Sequence, residues 1–158
     1  MRSWLYCPGN SPKMIINAGI YGADGLVFDL EDAVAPDRKR EARILLAQAF
    51  KERIVPVEKS AVRINGPETE DWNKDLEEMI PAGALIIRIP KVEHPEQVHR
   101  ICNLLDRIEA DNGMDTGKVV LQCILETPLG VENAFVLGGS SSRISSLSFG
   151  AEDYCAAV

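Results

Sequence analysis

Six short apolar runs recur along the chain, each ending in polar or charged residues and each followed by a longer segment with helical spacing. They cover residues 4–7, 25–29, 60–63, 84–89, 119–125 and 144–149. All have the length of strands. Several are apolar almost throughout, as the strands of a parallel sheet covered by helices are. Between them, Ser11-Pro12-Lys13 offers a cap residue and a proline for a first helical turn. Asp37 is expected to cap a helix whose apolar stripe is Ala42, Leu45, Leu46, Ala49 and Phe50. Residues 70–80 read as a shorter acidic helix ending at Pro81. His94-Pro95 opens a longer one carrying Val98, Ile101, Leu104, Leu105 and Ile108, which stops at Asp111-Asn112-Gly113. Residues 130–137 form a last short helix before Gly138-Gly139.

Strand and helix alternate without a block of either, which is the pattern of an α/β protein with a parallel sheet. A doubly wound nucleotide fold would carry a glycine-rich turn after its first strand. The turn here is Pro8-Gly9-Asn10-Ser11, with no G-x-G-x-x-G. A (β/α)8 barrel instead places its chemistry at the C-terminal ends of many strands. The polar residues at those ends are Asp29, Glu31 and Asp32; Arg63 and Asn65; Arg88 and Lys91; Glu126; and Glu152 and Asp153. The barrel is the expectation. Complete barrels take about 250 residues, so 158 residues read as a single partial barrel domain, residues 1–158, truncated after about six βα units. An open parallel edge would be an aggregation liability.

Composition removes several classes of function. With 17 Lys plus Arg against 24 Asp plus Glu, the net charge is −7, the wrong sign for neutralising phosphates, so no nucleic-acid partner is expected. No run approaches the ~18 apolar residues that a membrane span needs. Cys7, Cys102, Cys123 and Cys155 are far apart and lack C-x-x-C spacing, which argues against a zinc cluster or a disulfide framework. Cys7, Cys123 and Cys155 lie in or beside apolar runs, where a thiol behaves as a small hydrophobe. The N-terminus reaches Cys7-Pro8-Gly9 before a signal-peptide core can form. A reduced, cytoplasmic, soluble protein is expected.

Glu126 is the first candidate for chemistry. Val120, Gln122, Ile124 and Glu126 alternate onto one side of a strand that Thr127-Pro128 ends. An ordinary salt bridge, or a cap for the next helix, explains such a carboxylate equally well. Asp153 follows 27 residues later, about one βα unit, so the two acids are expected at neighbouring strand ends roughly 4.8 Å apart. Two carboxylates there need a cation, and hard oxygen donors suit Mg²⁺ better than Zn²⁺. Arg63 can neutralise a substrate carboxylate or an enolate, or simply pair with Asp29 or Glu31. Asp29, Glu31 and Asp32 are either an outer ring around a metal site or a solvated loop. Lys91 is a weaker candidate for an anion contact. His94 and His99 read as surface residues, and Asn65-Gly66 reads as a turn.

Taken in order, Leu5-Tyr6-Cys7-Pro8-Gly9-Asn10, Phe28-Asp29-Leu30-Glu31-Asp32-Ala33-Val34, Val62-Arg63-Ile64-Asn65, Ile89-Pro90-Lys91-Val92, Glu126-Thr127-Pro128-Leu129-Gly130-Val131 and Phe149-Gly150-Ala151-Glu152-Asp153-Tyr154 resemble the citrate lyase beta subunit family. That family lies within the wider group of Mg²⁺-dependent aldolases that includes the malyl-CoA lyases. The resemblance implies a (β/α)8 barrel, usually in a homotrimer or larger assembly, with Mg²⁺ held by Glu126 and Asp153. It implies that Arg63 contacts the substrate carbonyl and carboxylate, and that Glu31 and Asp32 border the site. The implied reaction is Mg²⁺-assisted retro-Claisen cleavage of a citryl thioester, on acyl carrier protein or coenzyme A, to oxaloacetate and an acetyl thioester. Other citrate lyase subunits are implied partners. A malyl-CoA or citramalyl-CoA lyase with the same site is the alternative, as is a truncated, inactive scaffold subunit. Relatives run on past the segment matching 150–153 through two more βα units, where malyl-CoA lyase-like members supply a carboxylate to a neighbouring subunit.

Overall fold

The computed structural model describes residues 2–158. Its strands are β1 (Trp4–Pro8), β2 (Gly25–Asp29), β3 (Ser60–Arg63), β4 (Ile86–Ile89), β5 (Val120–Leu125) and β6 (Ile144–Phe149). They form one sheet in which the spatial order is the chain order and every neighbouring pair is parallel. Parallel neighbours require crossovers, and crossovers are right-handed. A strand order that never reverses therefore sends every crossover to the same side of the sheet. A doubly wound sheet reverses once and covers both faces. The order seen here is that of a barrel wall, as expected, and all six expected strands are present within two residues of their boundaries.

The crossovers carry α1 (Pro12–Asn17), α2 (Lys39–Lys51), α3 (Trp72–Met79), α4 (Pro95–Asp111), and the short pair α5 (Pro128–Glu132) and α6 (Ala134–Gly138). A final helix, α7 (Ala151–Ala157), follows β6. Two details depart from the sequence reading. Asp37 lies in a separate 3₁₀ turn, Pro36–Arg38, and α2 begins only at Lys39, because Pro36 tightens the entry. The helix expected over 130–137 is broken at Asn133, whose side chain leaves the helix to donate to the Glu93 carbonyl at 2.8 Å.

Alternation along the strands divides the sheet into two faces. Leu26, Phe28, Val62, Ile87, Ile89, Leu121, Cys123 and Leu125 turn to the helices and are buried. Phe28 meets Phe50 of α2 edge to face, with ring centroids 5.9 Å apart. On the inner face, register places Asp29 beside Arg63, Arg63 beside Arg88, Arg88 beside Gln122 and Gln122 beside Ser146. One polar row thus crosses five strands. Cys7 and Cys123 are buried thiols as expected, but Cys155 is exposed on α7; α7 buries no residue, so the neighbouring apolar run does not cover it. No helix among the described residues is long and apolar enough to cross a membrane.

A buried ion pair sets the far end of the wall. Glu109, near the end of α4, accepts from the Gly117 and Val119 backbone N–H groups, each at 2.8 Å. Its oxygens also receive Arg143 Nη1 at 2.9 Å and Nη2 at 2.5 Å. Glu109 is fully buried, and burial opposes its charge. Arg143 and the two backbone donors prevail and pull its pKa down to about 2. A depressed carboxylate pKa means that its stabilisation is complete above about 4.5 and is lost as pH falls toward 2. Glu109→Ala, which leaves Arg143 buried with one fewer partner, is expected to cost about 3–5 kcal/mol in urea denaturation at pH 7. Its stability should also fall less steeply than wild type between pH 4.5 and 2.

Candidate functional site

The C-terminal ends of the strands gather the polar residues expected there. Asp29 closes β2, and its side chain accepts from the backbone N–H groups of Glu31 and Ala33, each at 2.9 Å. It also grips Arg63, at the end of β3, with Nε–Oδ1 at 2.7 Å and Nη2–Oδ2 at 2.6 Å. Burial works against the Asp29 charge, yet the guanidinium and the two N–H groups hold its pKa below the usual carboxylate range. Two parallel bonds in fork geometry fix Arg63 as few other pairings can. Of the two roles open to Arg63 in the sequence, pairing with Asp29 is therefore realised. Its remaining nitrogen, Nη1, stands 3.1 Å from Glu31 Oε2, an oxygen that lacks a directed hydrogen bond.

Glu31 shares its other oxygen with Lys91, Nζ–Oε1 2.9 Å, and Asp32 lies 3.7 Å from both cations. The acidic loop is therefore not simply solvated: Asp29, Glu31 and Asp32 surround Arg63 and Lys91. Lys91 itself sits at φ 52°, a left-handed backbone that costs a non-glycine residue about 1–3 kcal/mol. That turn aims its backbone N–H at Glu126, Lys91 N–Oε1 2.9 Å. Lys91 thus joins the acidic loop to the next carboxylate with its two ends.

Glu126 lies one residue beyond β5, and Asp153 stands in the first turn of α7 rather than at the end of β6. Both side chains nevertheless line the same cleft. Burial, followed by Asp153 and Glu31, raises the Glu126 pKa to about 7 against the pull of the Lys91 N–H. Glu126 does not cap α5; Thr127 does, its side chain accepting from Gly130 N at 3.1 Å. Gly150 leaves room for Glu126, since a Cβ there would stand 2.7 Å from both Glu126 Cβ and Oε2. The pair opens onto a cleft of about 320 Å³ lined also by Tyr6, Arg63, Arg88 and Ser148. No cluster of three or more His, Cys, Asp or Glu side chains suited to a metal occurs among the described residues. His94 and His99 are exposed, as expected.

Of three further residues of the cleft, Tyr6 and Ser148 were given no role in the sequence, and Arg88 was named only as a polar strand-end residue. Arg88, Tyr6 and Ser148 line it, with Arg88 Nη2 donating to Ser148 Oγ at 3.0 Å. The available signal was an arginine inside the run Ile86-Ile87-Arg88-Ile89, which burial on both faces does not otherwise explain. Asn65 is also more than a turn residue: its N–H and Nδ2 bind the buried Asp75 at 2.8 and 2.7 Å, and Asp75 binds Arg43 at 2.8 Å.

A buried carboxyl that keeps its proton to about pH 7 predicts a measurable titration. In ¹³C NMR of the metal-free protein, one Glu side chain should titrate near 7, and Asp153→Asn should move it toward the ordinary range. Because the folded-state value is raised, this group weakens the fold progressively as pH climbs from 4.5 through 7. Gly150→Ala is expected to cost about 1–3 kcal/mol in urea denaturation through overpacking against Glu126.

Comparison with known proteins places the chain in a family and agrees with its fold. The family model described as HpcH/HpaI aldolase/citrate lyase matches residues 2–158. Citrate lyase subunit beta of Leuconostoc mesenteroides subsp. cremoris is 37% identical over 153 residues, covering 97% of this chain and 51% of that protein. The L-malyl-CoA/beta-methylmalyl-CoA lyase of Cereibacter sphaeroides is 32% identical over 160 residues, covering 99% of this chain and 50% of that one. The chain thus spans about half the length of the curated relatives it matches. The structure of the M. tuberculosis citrate lyase beta subunit complexed with oxaloacetate and magnesium superposes with a TM-score of 0.78 at 27% identity, over 98% of this chain and 60% of that one. The chain belongs to the HpcH/HpaI aldolase/citrate lyase family.

Proposed function

We propose that the chain carries the acyl- and metal-binding wall of a carbon–carbon lyase that cleaves a citryl thioester to oxaloacetate and an acetyl thioester. The observation that carries this reading is the Glu126–Asp153 pair. Two carboxyl groups line one arginine-lined cleft, and neither is salt-bridged to a Lys or Arg among the described residues. Such a pair is costly while both are charged, and a divalent cation removes the cost. Two carboxylates leave coordination positions for water and substrate oxygens, the arrangement that Mg²⁺ favours. When bound, Mg²⁺ supplies Lewis-acid polarisation of the substrate hydroxyl and neighbouring carboxylate. The magnesium and oxaloacetate complex of the M. tuberculosis relative supports the same reading.

The chain's own residues divide the remaining work. Lys91 N–H fixes one Glu126 oxygen, and Gly150 leaves room for the other. Asp29, Glu31, Asp32 and Lys91 keep the surroundings rigid without touching the reacting atoms. Arg63 has two nitrogens committed to Asp29. Its Nη1, which also stands 3.1 Å from Glu31 Oε2, is proposed to turn its second N–H toward the negative charge that grows on the thioester oxygen as the C–C bond breaks. A single preorganised donor of that kind contributes about 2.7–4 kcal/mol to a barrier. The thioester carrier is proposed to be coenzyme A or an acyl carrier protein. The 32% identity to a malyl-CoA lyase supports a second reading, in which the same site takes a malyl or citramalyl group.

The test is Mg²⁺-dependent turnover of citryl, citramalyl and malyl thioesters. The expected result is a preference for citryl. Glu126→Gln and Asp153→Asn should each lower kcat/KM by at least about a hundredfold, as removal of a charge-stabilising group does. Glu126→Ala with wild-type turnover rejects the metal role, and no turnover of any member of the panel favours an inactive scaffold.

A further inference from the structure

Arg88 is the arginine of the inner face that has no acidic partner among the described residues. Its register neighbour Arg63 is neutralised by Asp29 at 2.6 Å, whereas Arg88 makes one side-chain hydrogen bond, to the neutral Ser148 hydroxyl at 3.0 Å. It is 7% exposed, and its Nε–H is buried without an acceptor. The Tyr6 ring lies 5.4 Å from the Arg63 guanidinium and 5.6 Å from that of Arg88, so two like charges share one aromatic ring. Trp4 adds a second ring at 5.5 Å. Cation–π contacts of this kind return about 0.5–2 kcal/mol each, less than the several kcal/mol that desolvating an unpaired cation costs. Burial, with Arg63 behind it, disfavours the Arg88 charge and outweighs the favourable influence of Tyr6 and of the more distant Glu126. A buried cation maintained at a net cost in the wall of a cleft is a receptor for an anion.

The position of Arg88 specifies which anion. Its register partner on β5 is Gln122, four residues before Glu126. Its side chain rises only as far as Ser148, the partner of Ile124. Arg88 therefore forms the floor of the cleft, while Glu126 and Asp153 stand at the rim. An acyl group held at the rim by its hydroxyl and one carboxylate reaches Arg88 only if it carries another carboxylate. We propose that Arg88 binds this second carboxylate and makes the site selective for a dicarboxylic acyl group over a monocarboxylic one. The inference rests on the lyase reading above and assigns its specificity. A guanidinium fork matches a carboxylate with paired hydrogen bonds, which a lysine or an amide does not reproduce.

Oxaloacetate and pyruvate test this directly, because they share the 2-oxo acid group and differ by the one carboxylate. Titration calorimetry with Mg²⁺, in the cold where oxaloacetate decarboxylates slowly, should show wild-type protein favouring oxaloacetate by about tenfold or more, the effect of one charge-assisted contact. Arg88→Gln should shrink that ratio to under about threefold, chiefly by weakening oxaloacetate, and should keep or raise the melting temperature because an unpaired buried cation is gone. Ser148→Ala, which removes only the hydroxyl orienting the guanidinium, should shrink the ratio partway and serves also if Arg88→Gln does not fold. An unchanged ratio in the variants overturns the role of Arg88 and leaves the lyase reading standing. Wild-type protein that binds neither oxo acid in Mg²⁺ overturns the lyase reading, and this inference with it.

Discussion

The bidentate pair between Asp29 and Arg63 is the contact from which the rest of the site is built. It joins β2 to β3 and, through two backbone N–H groups, shapes the loop that follows Asp29. That loop presents Glu31 to Lys91. Lys91, bent into a left-handed turn, passes the order on to Glu126 by its backbone. Gly150 leaves the space that Glu126 occupies beside the start of α7, and Asp153 lines the same cleft. Five strand ends are thereby coupled by side-chain and backbone hydrogen bonds rather than by packing alone. In the absence of an apolar core at the mouth of a barrel wall, such bonds are the available means of holding carboxylates in a fixed geometry.

Charge is distributed unevenly along this series. Arg63 is compensated several times over, by Asp29 and then by Glu31 and Asp32. Arg88, beside it in register, has no salt bridge among the described residues and touches only aromatic rings and a hydroxyl, with Glu126 acting on it from farther off. Glu126 and Asp153 carry the opposite imbalance. A cleft with a cation in excess at its floor and carboxylates in excess at its rim is complementary to a ligand assembly of reversed polarity, a metal ion above and an anionic group below. The stability lost to these imbalances is offset by the fully apolar face under the helices, where Phe28, Phe50, Leu46 and Ile87 are buried.

Much of this was legible in the residues. Strand positions followed from apolar runs, and the barrel-type wall from strict alternation and from the missing glycine fingerprint. That Glu126 and Asp153 line the same cleft followed from their spacing of one βα unit. Asp153 was expected at the end of β6 and sits instead in the first turn of α7. Asp37 as a helix cap failed because Pro36 imposes a separate turn. Exposure of Cys155 was missed because neighbours in sequence do not reveal whether a terminal helix packs.

The amino-acid sequence alone determined which face of each strand is apolar, where the crossovers begin, and which carboxylates and arginines reach the strand ends. These are local properties, governed by periodicity and by the backbone limits of proline and glycine. Tertiary structure decided which charges are spent on one another: that Asp29 takes Arg63, that Glu31 takes Lys91, and that Arg88 is left with Ser148. Pairing depends on distances across neighbouring strands, and a difference of one ångström or one register position exchanges a structural ion pair for an open binding group.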